Sequence, residues 1–248
     1  MIRIDICYAT WSLEIQNVAP TLPGFQSIKH CVQYLASHPY KPTFYPSTYY
    51  DVLNVIRLTR SGNKVEYYTT QNCLECHQDA YHDIVLNRRR SVSDIFHTII
   101  GVAFWRKLQI QPAIASDSTD EEIRCMYKDV KKTKVIWRYM DALSLHSASP
   151  TVHWEGNTIW ISFVEAKIVT PRVKHVDVPV WFLQEQFDNG IFIPNYEKSS
   201  IMPAYMCTKT CSVTIISRST KLMNGFRFYP TSDTEHYQLI ILHEFSVN

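Results

Sequence analysis

From about residue 73 onward the chain reads as strands and helices in a fixed, mixed order: strand, strand, strand, helix, strand, helix, helix. Leu74 to Asp79 is the first strand candidate, and Ile95 to Trp105 is apolar and β-branched enough for a central strand. Pro112 to Ser116 is expected to be its partner. Ser118 reads as a helix N-cap, with Glu121 three residues later completing a capping box. The helix it opens is expected to reach about Leu143, carrying Ile123, Met126, Val130, Val135 and Ile136 inward. Thr151 to Glu155 forms a fourth strand, and Val173 to Phe187 a further helix, ended by Asp188-Asn189-Gly190. Ile191 to Pro194 closes the series as an edge strand, because proline cannot donate to a central ladder.

The flanks read differently. Residues 1–40 give helical pieces around the turn Pro20 to Gly24, with Phe25, Ile28, Val32 and Leu35 spaced as a buried stripe on about three turns of helix. Residues 44–71 suggest a hairpin around Ser61-Gly62-Asn63, and the pattern weakens after about residue 210. The expected division is therefore 1–70, a helix and hairpin; 71–210, one α/β domain; and 211–248, an extension. The 248 residues suit this, and 46% hydrophobic against 19% charged residues suits a globular core. A formal charge of +2 supplies no bulk field for nucleic acid, so any such binding needs a local patch. No apolar run approaches the roughly 18–20 residues of a membrane span, and no membrane partner is expected. The N-terminus reads as lacking a secretion signal, and seven scattered cysteines suit reduced thiols, so a cytoplasmic or nuclear location is expected.

Acids recur at telling places: Gln78-Asp79-Ala80 on the first strand, Ser118-Thr119-Asp120-Glu121-Glu122 opening the long helix, and Lys174-His175-Val176-Asp177 opening a late one. Glu155-Gly156-Asn157 ends the fourth strand between them. Taken singly such acids are ordinary solvated charges; in this order they look like one inherited site. Together with Arg88-Arg89-Arg90-Ser91-Val92-Ser93, Trp105-Arg106-Lys107 and Ala204-Tyr205-Met206-Cys207-Thr208-Lys209, they resemble the ribonuclease H region of copia-type retrotransposon polyproteins. Upstream, Ile4 to Ala9 and Lys29 to Leu35 look like the end of the reverse transcriptase connection in that family. The likeness runs over about residues 3 to 210.

The resemblance implies a ribonuclease H-like mixed five-stranded sheet flanked by helices, with a small N-terminal helix-plus-hairpin segment. It implies hydrolysis of the RNA strand of RNA–DNA hybrids with two Mg²⁺ ions, which activate a water and relieve charge on the departing oxygen. By the same resemblance Asp79 bridges the metals, Glu122 and Asp177 each hold one, and His175 assists product release, unless it only makes a local helix hydrogen bond. The remaining acid of the pattern falls on Gly156, which has no carboxyl, and Tyr205 stands where the family has Asp. Glu155 should point away from the metals, because successive strand side chains face opposite ways. The expectation is a degenerate site with weakened Mg²⁺ binding and impaired or absent activity. The alternative is a non-catalytic nucleic-acid-binding or assembly protein on the same fold, with self-association or a protein partner at the face a missing polymerase leaves.

Arg88, Arg89 and Arg90 either touch a phosphate backbone or form a solvated loop, and both readings stand. Cys73-Leu74-Glu75-Cys76-His77 matches a covalent haem pattern, and Cys73 and Cys76 with Cys207 and Cys211 have tolerated zinc spacings. Free buried thiols are preferred here over haem or zinc, since the first pair lies on a predicted strand.

Overall fold

The computed structural model describes residues 3–16, 21–39, 54–58, 64–68, 74–81, 90–99, 102–145, 149–167, 176–198, 202–208, 211–224, 227–230 and 237–240. Strands β1 (Asn54–Leu58) and β2 (Lys64–Tyr68) pair as an antiparallel hairpin, as the sequence suggests. The main sheet takes β3 (Leu74–Tyr81), β4 (Val92–Ile99), β5 (Val102–Ile110), β6 (Thr151–Glu155) and β7 (Phe192–Tyr196) in the order β5-β4-β3-β6-β7. The first three are mutually antiparallel; β6 runs parallel to β3, and β7 parallel to β6. This is the ribonuclease H-like mixed sheet. Pro194 lies on the edge strand, where a missing N–H costs no ladder bond.

Two expectations fail at the sheet. Ile95 to Trp105 is not one strand: it divides between β4 and β5, with Ile99 paired to Val102. Two positions connect them, and Gly101 is the sequence signal for a tight hairpin inside an otherwise unbroken apolar run. Pro112 to Ser116 consequently has no strand partner to supply and is a loop.

Helices cover both faces of the sheet. On one lie α3 (Ser118–Ala142), α4 (Thr158–Ala166) and α5 (Asp177–Asp188), which enclose Ile123, Met126, Trp160, Val180, Leu183 and Phe192. On the other lie α1 (Cys7–Gln16), the short α6 (Tyr205–Thr208) and α7 (Val213–Met223). Here Phe96 and Ala103 pack on Met202, Ala204, Met206 and Met223, and Trp11 packs on Val92. Part of the sequence expected as an extension, residues 213–223, is thus a covering helix of the sheet. Strands β8 (Arg227–Pro230) and β9 (Tyr237–Ile240) form a further antiparallel pair. No helix among the described residues is long and apolar enough to cross a membrane.

The long helix is capped one residue earlier than expected. Asp117 is the N-cap, its carboxylate accepting from the backbone N–H of Asp120 at 2.9 Å. Asp117→Ala should cost about 1 kcal/mol, seen as a lower urea midpoint with an unchanged m-value. The apolar stripe predicted to be buried on α2 (Leu22–Ser37) is exposed among the described residues, with Phe25 at 65% and Val32 at 59%. Its period reports a helix and says nothing about what covers it.

Candidate functional site

Asp79 lies near the C-terminal end of β3, the central strand, and is buried. Alternation along β3 sends Cys76 and Gln78 toward α3 and sends His77 and Asp79 toward the α6–α7 layer. There the Thr208 hydroxyl donates to the Asp79 carboxylate and lies 3.3 Å from the backbone carbonyl of Tyr205. Asp94 is level with Asp79 on β4, but its carboxylate is taken by Arg106 at 2.8 Å.

On the other flank, β3 and β6 run in step, with His77 level with Trp154. Two residues further along each strand come Asp79 and Gly156. Gly156, the residue just after β6, is therefore level with Asp79 when that register is extended, and Tyr205 opens α6, the helix whose Thr208 donates to Asp79. Glu155 shares the side of Gln78, whose amide donates to it, while the Asn157 backbone N–H donates to it at 3.0 Å. Burial pushes the Glu155 carboxyl up to about 8; the two donors oppose that rise, and the nearby Asp79 charge reinforces it.

The other predicted acids lie on helices of the α3–α5 layer. Glu122 is buried in the second turn of α3. Asp177 is exposed in the first turn of α5, which packs on the sheet face opposite to the one Asp79 points from. Arg90 is half-buried, and Arg88, Arg89 and His175 lie outside the described residues. Lys131 and Lys132 lie over the rings of Tyr127 and Trp105, at 4.9 and 4.7 Å from their centroids.

A second polar cluster, which no sequence motif announces, occupies the interface between the sheet and α3. His97 on β4, Cys76 on β3 and His153 on β6 are level in adjacent strands, and all three face Asp129. The Cys76 thiol donates to Asp129 Oδ2 at 2.6 Å, His153 Nδ1 lies 2.9 Å from the same oxygen, and His97 Nε2 lies 3.2 Å from Oδ1. The Thr133 hydroxyl sits between His97 Nε2 at 3.0 Å and His153 Nε2 at 3.2 Å. All five residues are fully buried. Burial raises the Cys76 thiol well above its ordinary value, and Asp129 adds to that. Burial lowers His97 to about 4 against the pull of Asp129. Burial also pushes Asp129 up, but His153 and His97 together outweigh it and hold its pKa down. The available signal was periodicity: Asp129 and Thr133 fall in the stripe of Met126, Ile136 and Met140.

Cys76 thus belongs to this interior cluster, whereas α6 and α7 cover the opposite face. The four-thiolate set with Cys211 cannot converge, and the neighbouring His77 stacks on Phe96 with ring centroids 4.8 Å apart.

No family model matches the chain, and no curated protein matches it. Similar solved structures include LC11-RNase H1 in complex with an RNA/DNA hybrid, at 7% identity and TM-score 0.38, covering 50% of this chain and 85% of that one. RNase H1 from the halophilic archaeon Halobacterium salinarum NRC-1 gives 8% identity and TM-score 0.33, with the same coverages. The N-terminal RNase H domain of rv2228c from Mycobacterium tuberculosis gives 10% identity and TM-score 0.36, covering 60% of this chain and 97% of that one.

Proposed function

We propose that this chain is a ribonuclease H-like module of copia-type descent, built to engage RNA–DNA hybrids, in which two-metal hydrolysis is impaired. The carrying observation is the setting of Asp79. It lies on the central strand, and two positions at which the family pattern has an acid, Gly156 just after β6 and Tyr205 at the head of α6, lack a carboxyl.

Mg²⁺ demands oxygen ligands in near-octahedral array, and a two-ion site needs several converging carboxylates. Asp79 is engaged by Thr208, Asp94 by Arg106, and burial favours the neutral form of Glu155. Asp177 projects from the opposite layer. This donor set does not fit two Mg²⁺ ions, which supports impaired turnover on an inherited scaffold. Glu122, near the head of α3, is the acid that the family pattern would assign to one metal, and Arg90 with its sequence neighbours Arg88 and Arg89 is the candidate phosphate contact.

The test is cleavage of an end-labelled RNA–DNA hybrid. The natural chain should cut no faster than background. Gly156→Asp with Tyr205→Asp should gain Mg²⁺-dependent cleavage by at least about 10²-fold, lost again on adding Asp79→Asn. Cleavage by the natural chain that Asp79→Asn abolishes would overturn the impaired reading; folded variants that stay silent would overturn the ancestral one.

A further inference from the structure

We propose that Cys76, His97 and Asp129 form a structural zinc site in the interior of the domain, with Cys76 as thiolate, His97 binding through Nε2 and Asp129 through its carboxylate. The ligand atoms of these three residues all lie within 4.8 Å of one another, and among the described residues this is the trio that does so. Asp129 presents Oδ1 toward His97 and Oδ2 toward Cys76, so its carboxylate lies between the other two ligand residues. Sulfur, imidazole nitrogen and carboxylate oxygen are the donors Zn²⁺ takes in tetrahedral sites.

Charge gives an independent reason. Among the described residues no lysine or arginine pairs with Asp129, so its carboxylate sits in a wholly buried interface without a permanent cation beside it. Burying an ion this way is costly unless a counter-charge accompanies it. One Zn²⁺, one carboxylate and one thiolate sum to zero. Binding replaces the Cys76 thiol proton, now directed at Asp129, by the metal and releases that proton to solvent.

The surroundings are those of a held ligand set. His153 Nδ1 lies 2.9 Å from Asp129 Oδ2, and the Thr133 hydroxyl bridges His153 Nε2 at 3.2 Å and His97 Nε2 at 3.0 Å, a contact the ion would replace at His97. Because the ligands are fully buried, no open position faces solvent, and the ion's role is to pin β3 and β4 to α3. The site stands apart from Asp79, which points to the other face.

Elemental analysis of the purified full chain should find about one Zn²⁺ per molecule. After chelation, Co²⁺ should give a thiolate-to-cobalt charge-transfer band in the natural chain and in Cys211→Ser, and none in Cys76→Ser. Zinc-free folded protein whose Co²⁺ spectrum lacks that band overturns the proposal, whether or not any variant folds. A Cys76→Ser chain that keeps both metal and band overturns it equally.

Discussion

Replacing Glu155 by glutamine should abolish most of the loss of stability that the natural chain undergoes between about pH 4.5 and pH 8. Folded, Glu155 keeps its proton up to about pH 8, whereas the unfolded chain releases it at the ordinary 4.5. Below 4.5 both states are protonated and the contribution is fully present. Within the window the unfolded state binds fewer protons, so stability falls as the pH rises. Above about 8 both states are ionised and the loss levels off. The glutamine of the variant keeps a neutral side chain beside Gln78 and has no proton to lose. Guanidinium denaturation of both proteins at several pH values from about 5 to about 8 tests this. Parallel slopes in the two proteins would remove Glu155 as the cause.

Asp129→Asn should destabilise the fold by about 3–5 kcal/mol, the cost of taking one partner from a buried charged cluster. The natural carboxylate meets Cys76, His97 and His153 at 2.6, 3.2 and 2.9 Å. An amide offers one acceptor oxygen to these partners and turns two N–H donors into the same sealed space. The midpoint of denaturation should fall with little change in the m-value. A loss below about 1 kcal/mol would mean that Asp129 is replaceable by any group of its shape.

The contrast between these two acids shows what residue order carries. The long helix was legible because Ile123, Met126, Val130 and Ile136 repeat at helical spacing, and most of the sheet because its runs are short and β-branched. The hairpin between β4 and β5 was hidden, since apolar residues continue through the turn and Gly101 alone interrupts them. The α2 stripe carries a true period and a false burial, because covering surface is a tertiary property. At the candidate site, motif order points to Asp79 and to Gly156. The approach of Thr208 to Asp79 is not legible there, because a helix as short as α6 leaves no periodic trace. The exposure of Asp177 was equally unreadable: nothing in Lys174-His175-Val176-Asp177 says which way the first turn of α5 faces.

Mg²⁺ titration calorimetry on the full chain, with Asp79→Asn as control, asks whether a working metal site survives around Asp79. Both proteins should give the same weak, unsaturated heat. Saturable uptake of two Mg²⁺ ions by the natural chain, abolished in Asp79→Asn, would show an intact two-ion site and refute the loss of metal binding proposed for this domain.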